Sequence, residues 1–288
     1  MKPADFDYAA PVSVAEAVSL LAADESAKVV AGGQSLVPLL NFRLAQPSLL
    51  VDLRPIPGLD EISEQSDRIV LGAMVSQRQV ETSSLLASSC PLLVEAARHV
   101  AHPQIRARGT VGGSVAHADP AAELPAVLLA LEGEVRVAGS QGQRRIRASE
   151  LFAGFFTTTL ASDEIVLEVI VPTLAPRTGW SLVEIVRRAG DYAIVGAAAQ
   201  VSLSDRGQVS DARLALFGVG DRPVRARAVE EALLGGAATE DSAEAASRHA
   251  ADGLNPADDI QAPSRYRKHL ARVVARRCLN EAIERARE

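Results

Sequence analysis

Residues 13–26, "SVAEAVSLLAADES", space Val14, Val18 and Leu21 so that they share one face of a helix. Ser13 opens the stretch and Glu16 follows three residues later. This is the pattern of a capping box, so the helix is expected to start there. The pattern then changes. "KVVA" is a short apolar run that leads straight into "GGQS", and "LLVDL" is a second run, ended by "RPIPG". Both read as short buried strands. Residues 1–57 therefore predict a small βαβ-like unit.

A second unit, residues 58–175, opens on the apolar strand "RIVLGAMV". The polar stretch "SQRQVETSSLLASS" has helical character. "PLLVEAARHVA" predicts a helix with Pro91 at its first position, where the missing N–H costs nothing. "AAELPAVLLALEG" predicts another, which tolerates Pro125 near its beginning. "EVRVAG" and "EIVLEVIVP" read as strands. In a third unit, residues 176–288, the stretch "YAIVGAAAQVSLSDRGQVSDARLALFGVG" predicts a hairpin that turns at Asp205–Gly207. Helices are expected at about 224–235, 240–252 and 264–287, with the Gly-, Pro- and Asp-rich "DGLNPADDIQAP" as a loop between the last two.

Composition narrows the functions open to such a chain. Its 288 residues suffice for two or three packed units, and 48% hydrophobic with 23% charged residues is ordinary for a globular protein. The net charge of −6 argues against a nucleic-acid partner, which needs a concentrated basic face. The most basic stretch, "RYRKHLARVVARR", also has helical apolar spacing and reads as a solvated helix face rather than an electrostatic docking site. Cys90 and Cys278 are the only cysteines, far apart and among apolar neighbours, so no disulfide framework is indicated. A cysteine-ligated iron–sulfur cluster takes about four thiolates, more than this chain has. No run approaches about 20 apolar residues, so no membrane span is expected. The N-terminal "MKPADFDYAAP" lacks the apolar core of a secretory signal, and the expected location is the cytoplasm.

The candidate chemistry lies at two glycine corners, "AGGQSL" at 31–36 and "GTVGGS" at 109–114. Successive amides in a tight glycine turn form an anion-binding nest, and a following helix start adds a favourable dipole. Ser35, Thr110 and Ser114 add hydroxyl donors. Either corner alone is equally a plain turn. Neither is a P-loop, and neither is the G-x-G-x-x-G fingerprint. His99, His102 and His117 cluster along the chain, but Pro103 interrupts the helix that would pair the first two, and no third metal ligand has suitable spacing. No metal site is expected, and His102 reads better as a neighbour of a bound cofactor. Asp119 and Glu123, four apart, offer either a carboxylate pair or, for Asp119, a cap ahead of Pro120. Ser35 lacks the G-x-S-x-G context of a nucleophile.

"AGGQSLVPLLNFRLAQPSLLVDL", "HPQIRARGTVGGSVAHADPAAELPAVLLAL" and "RRAGDYAIVGAAA", in this order and spacing, resemble the FAD-binding medium subunits of molybdenum hydroxylases, the family of the carbon monoxide dehydrogenase medium subunit and the flavin part of xanthine dehydrogenase. The resemblance runs from about residue 3 to the C-terminal helix. It implies an α+β fold in which two α/β subdomains clasp FAD and a C-terminal domain with a three-stranded antiparallel sheet and helices covers the flavin. It assigns Ala31, Gly32, Gly33, Gln34, Ser35 and Leu36 to one wall of the diphosphate site, and Thr110, Val111, Gly112, Gly113 and Ser114 to the other. Glu123 would lie near the ribose and Tyr192 beside the flavin ring, although Tyr192 also suits a plain core aromatic. Gln34 and Ser114 replace the His and Asn common at these places, and both keep hydrogen-bonding capacity. The implied function is electron transfer from the [2Fe–2S] clusters of a small partner subunit, through FAD, to an external acceptor. A large partner subunit would hold the molybdenum cofactor, in a dimer of heterotrimers. The competing readings are a stand-alone flavoprotein with its own organic substrate and a non-catalytic nucleotide-binding assembly protein.

Overall fold

The protein is described by a computed structural model covering residues 2–288. The first sheet is parallel, in the order β1 (Asp7–Ala9), β3 (Leu49–Asp52), β2 (Lys28–Val30). Helix α1 (Val14–Ala23) follows β1. The Ser13 hydroxyl accepts the Glu16 amide at 3.2 Å, as the cap pattern predicts, whereas the Glu16 carboxylate accepts the amide of Val12, one residue outside the box. Helix α2 (Leu36–Asn41) starts directly after the first glycine corner. Strand β1 is absent from the sequence reading: its exposed "DYA" has no apolar run to betray it.

The second sheet is antiparallel throughout. Its order is β4 (Ile62–Gln65), β5 (Arg68–Gly72), β10 (Ile165–Pro172), β6 (Glu134–Gly139), β7 (Gly142–Arg147). Between β5 and β6 run the helices α3 (Gln77–Thr82), α4 (Ser84–Ser89), α5 (Pro91–His99), α6 (Pro103–Arg106), α7 (Val111–His117) and α8 (Glu123–Ala130). All eight residues of α8 are buried, as expected of a helix that is apolar all round. It packs on the third sheet and on α5, in a core cluster that also holds Ala198, Ala215 and Phe217. A short helix α9 (Ala148–Leu151) and a small hairpin, β8 (Phe152–Gly154) with β9 (Thr157–Thr158), lead back to β10.

The third sheet has the order β11 (Thr178–Ile185), β12 (Val195–Leu203), β13 (Val209–Phe217), β14 (Val224–Arg225), all antiparallel. The expected hairpin is β12–β13, and it turns at Asp205–Gly207 with Gly207 at φ 73°. The sheet has four strands rather than three, and residues 224–225 form β14 where a helix was expected. Helix α10 (Arg227–Leu233) starts only after that edge pairing. Helix α11 (Glu240–Ser247) ends in a 3-10 turn, and α12 (Ser264–Arg287) covers the sheet. The backbone contact between α12 and β11 is bare: a Cβ at Gly179 would stand 1.9 Å from the Ala282 carbonyl oxygen.

Candidate functional site

Strand β2 ends at Val30, and the chain then turns sharply through Gly33, whose φ of 72° lies in the region glycine reaches without strain. Val37 N–H closes the first turn of α2 onto the Gly33 carbonyl at 3.0 Å, and the Gln34 side-chain amide donates to the Gly32 carbonyl at 3.0 Å. The amides of Gly32, Gly33, Gln34 and Ser35 donate to no protein acceptor among the described residues, and the Ser35 hydroxyl makes no capping bond. Four successive open donors form the kind of concavity that takes an anion.

The second corner is built differently. Thr110 caps α7, its hydroxyl accepting the Gly113 amide at 3.0 Å. Val111 N–H donates to the Val75 carbonyl and Gly112 N–H to that of Ala73, each at 2.9 Å, while Ser114 N–H donates to the Thr110 carbonyl. These glycines serve close approach rather than open donation. A Cβ on Gly112 would sit 2.7 Å from the Ala73 carbonyl oxygen, and one on Gly32 would sit 2.0 Å from the Arg108 carbonyl oxygen. A Cβ on Gly113 would reach the Ala31 methyl at 3.5 Å. The two corners, some eighty residues apart in the chain, thus lie against each other backbone to backbone. Buried Gln77 packs on Gly109 there, and its Oε1 has no partner.

Beside the first corner opens a cavity of about 750 Å³, within the ~300–1,000 Å³ usual for small-molecule sites. One wall is Gln34, Ser35, Leu36 and the exposed side of α2 as far as Phe42. A second is the end of α7 and the β8–β9 hairpin, with His117, Asp119, Phe155 and Phe156. A third comes from the C-terminal part: Tyr192, Gly218, Asp259 and Arg267. Phe42, Phe155, Phe156 and Tyr192 are each more than half exposed. Large apolar groups left uncovered around one concavity point to a planar, apolar ligand surface. The residues fit a flavin dinucleotide: open amides border the cavity for the phosphates, and exposed aromatic side chains line it for a flat ring.

Of the residues singled out in the sequence, Gln34, Ser35, Leu36, His117, Asp119 and Tyr192 line the cavity. Ala31, Gly32, Gly33, Thr110, Val111, Gly112, Gly113 and Ser114 belong to the joined corners next to it. His102 and Glu123 do not line it. The His102 ring lies under Gly190, in the loop that carries Tyr192. Glu123 is buried at the start of α8, and desolvation pushes its carboxyl up to about 8. Asp119 is buried as well, and its carboxyl is likewise raised by desolvation. It accepts the Ala121 amide at 2.9 Å, so it shapes the turn ahead of α8 and does not cap the helix itself, whose N-cap is Ala122. His99 Nδ1 donates to the Glu184 carboxylate at 3.1 Å, and that hydrogen bond raises its pKa. Burial lowers the pKa of His117, and its ring packs 5.0 Å from that of Phe156. No cluster of three or more metal-ligating side chains occurs among the described residues. Phe155 and Phe156 are absent from the sequence reading; Asp259 reads there only as part of a loop, and Arg267 as part of a solvated helix face although it is buried. The adjacent pair "FF", in a chain with only six phenylalanines, was the one available signal.

Comparisons with known proteins give the family. Residues 4–174 match the family described as "FAD binding domain in molybdopterin dehydrogenase", and residues 180–282 match "CO dehydrogenase flavoprotein C-terminal domain". The chain is 43% identical to the 6-hydroxypseudooxynicotine dehydrogenase complex subunit alpha of Paenarthrobacter nicotinovorans, over 100% of this chain and 97% of the relative. It is 42% identical to the nicotine 6-hydroxylase medium subunit of the same organism, over 98% and 99% of the two chains. Among solved structures, a chain of carbon monoxide dehydrogenase from Hydrogenophaga pseudoflava superposes with a TM-score of 0.96 at 39% identity, covering 99% of both chains. A chain of quinoline 2-oxidoreductase from Pseudomonas putida 86 superposes at 0.95 and 39%, covering 100% of both. No helix among the described residues is long and apolar enough to cross a membrane.

Proposed function

The chain belongs to the family of FAD-binding medium subunits of molybdenum hydroxylases, and from that premise we propose that it relays electrons from the [2Fe–2S] clusters of a small partner subunit to an external acceptor. It is an oxidoreductase subunit with an FAD-binding domain. The observation that carries the proposal is the cavity beside the four open amides of Gly32 to Ser35. These amides would stabilise the negative charge of a diphosphate by hydrogen bonding. Bound FAD supplies a carrier that exchanges electrons singly or in pairs. The chain's own residues hold and shield it. Ser35 would offer a hydroxyl to the phosphates, Tyr192 and Phe156 would wall the ring, and His117, its pKa lowered by burial, would add no positive charge there. The joined corners fix both lobes at one distance. His117 and Asp119 line the cavity but share no hydrogen bond among the described residues, which suits a relay whose substrate is oxidised on another chain.

The large partner subunit then carries the molybdenum cofactor, and the assembly is a dimer of heterotrimers. The names of the two relatives at 43% and 42% identity refer to pyridine compounds. They favour an aromatic N-heterocycle as the substrate of the complex. The test is purification of the chain with its co-expressed neighbours. The expected result is a flavin spectrum with one FAD per chain, together with molybdenum and iron in separate, stoichiometric polypeptides. A yellow chain that is reduced by an organic substrate with no partner present would establish a stand-alone oxidase. A colourless chain would leave only the assembly role.

A further inference from the structure

The third wall of the cavity is assembled around one buried cation. Arg267 of α12 is 6% exposed. Its Nη1 donates to the carbonyl of Ile194, just before β12, and to that of Gly218, just after β13. Its Nη2 donates to Asp259 Oδ2 at 2.6 Å. Each acceptor belongs to a cavity-lining segment: Ile194 follows Tyr192 and Ala193, Gly218 lines the cavity itself, and Asp259 lies two residues before Gln261. Gly218 N–H in turn donates to the Pro120 carbonyl at 2.8 Å, which ties this wall to the Asp119 turn.

The segment carrying Asp259 has no regular structure from residue 254 to 263, and residues 257–261 are all exposed. Apolar packing holds Leu254, Pro256 and Ala262 but not residues 257–261, as Ile260 at 96% exposure makes plain. Polar tethers do. Asp259 Oδ1 accepts the amides of Gln261 and Ala262 at 2.9 Å each, so one carboxylate both shapes the turn and reaches the cation. Arg187 Nη2 binds the carbonyls of Ile260 and Gln261 from outside, at 3.0 Å each.

We propose that Arg267 is a positioning residue for cofactor retention: through Asp259 it latches the 256–261 loop across the cavity mouth, and so sets how long a flavin dinucleotide stays and how far solvent reaches it. The inference rests on the reading of the cavity given above. The deciding variant is Asp259→Asn in the full chain purified with its partner subunits. The amide keeps Oδ1 for the turn and loses the charge that faces the guanidinium. Asp259 is half exposed, so the loss of this one ion pair should be modest in the cofactor-free protein. FAD should dissociate severalfold faster, iodide should quench the flavin fluorescence more, and the melting temperature should fall more with FAD bound than without it. Asp259→Glu should restore part of the retention. Arg267→Met removes the carbonyl contacts as well and should lose more cofactor; if it does not fold, Asp259→Asn still decides. Unchanged dissociation and quenching in Asp259→Asn, with a wild type that holds FAD, would overturn the latch alone. A wild type that holds no FAD would overturn the reading of the cavity and the latch with it.

Discussion

Glu123 shows how much a single burial can determine. A carboxyl at about 8 is mostly protonated at neutral pH, in contrast to its state in the unfolded chain, near 4.3. The folded state therefore binds more protons between those two values. The stability from this group is fully present below about 4.3 and is lost as the pH rises through about 8. His99, raised by its bond to Glu184, adds to the same trend. Glu123→Gln should remove much of it: the variant should melt a few degrees above the wild type at pH 9 and close to it at pH 5, as followed by circular dichroism. Gly33 is governed by backbone geometry. At φ 72°, alanine costs about 1–2 kcal/mol, and its Cβ would press on Val37 Cγ2 at 3.1 Å. Gly33→Ala should fold and yet lose most of its FAD, which the absorbance of the purified protein would reveal. Gly33 was recognisable in the sequence because two glycines before small polar residues leave few explanations. The burial of Glu123 was not, because it depends on helices and strands brought together from elsewhere in the chain.

At the scale of elements, the amphipathic and apolar segments were legible. Helix α1, helix α8 and the β12–β13 hairpin each follow from spacing, caps or turn residues within a dozen positions. Strands β1, β4, β7 and β14 were not. They are short, mostly polar or exposed, and exist only because a neighbouring strand offers an edge. The contrast between the glycine corners was equally hidden, because whether an amide is open or already bonded depends on Ala73 and Val75. Helix α7 depends on its cap. Thr110→Ala should cost about 1 kcal/mol, measurable by urea denaturation, while Thr110→Ser should be nearly silent.

Across the whole molecule, the parts that form the cavity are held together by few polar ties. Arg285 of α12 donates to Glu95 of α5 at 2.8 Å and to the Trp180 carbonyl at 2.6 Å, and its guanidinium lies 5.3 Å from the centre of the Trp180 ring. Arg285→Ala should cost about 1–3 kcal/mol and lower the melting temperature by about 2–4 °C for each of them, in calorimetry of the purified chain. The resemblance of three spaced motifs anticipated this assembly as a fold. It did not anticipate Arg267, which looks in the sequence like one more cation on a basic helix. The cavity has a consequence for biogenesis. Its walls come from the thirties, from residues 117–156 and from residues 192–267, so a nascent chain has no finished binding site until nearly all of it has been translated. On the function proposed above, cofactor loading follows translation, and fragments ending before Ser264 should not sequester flavin from the cell's pool.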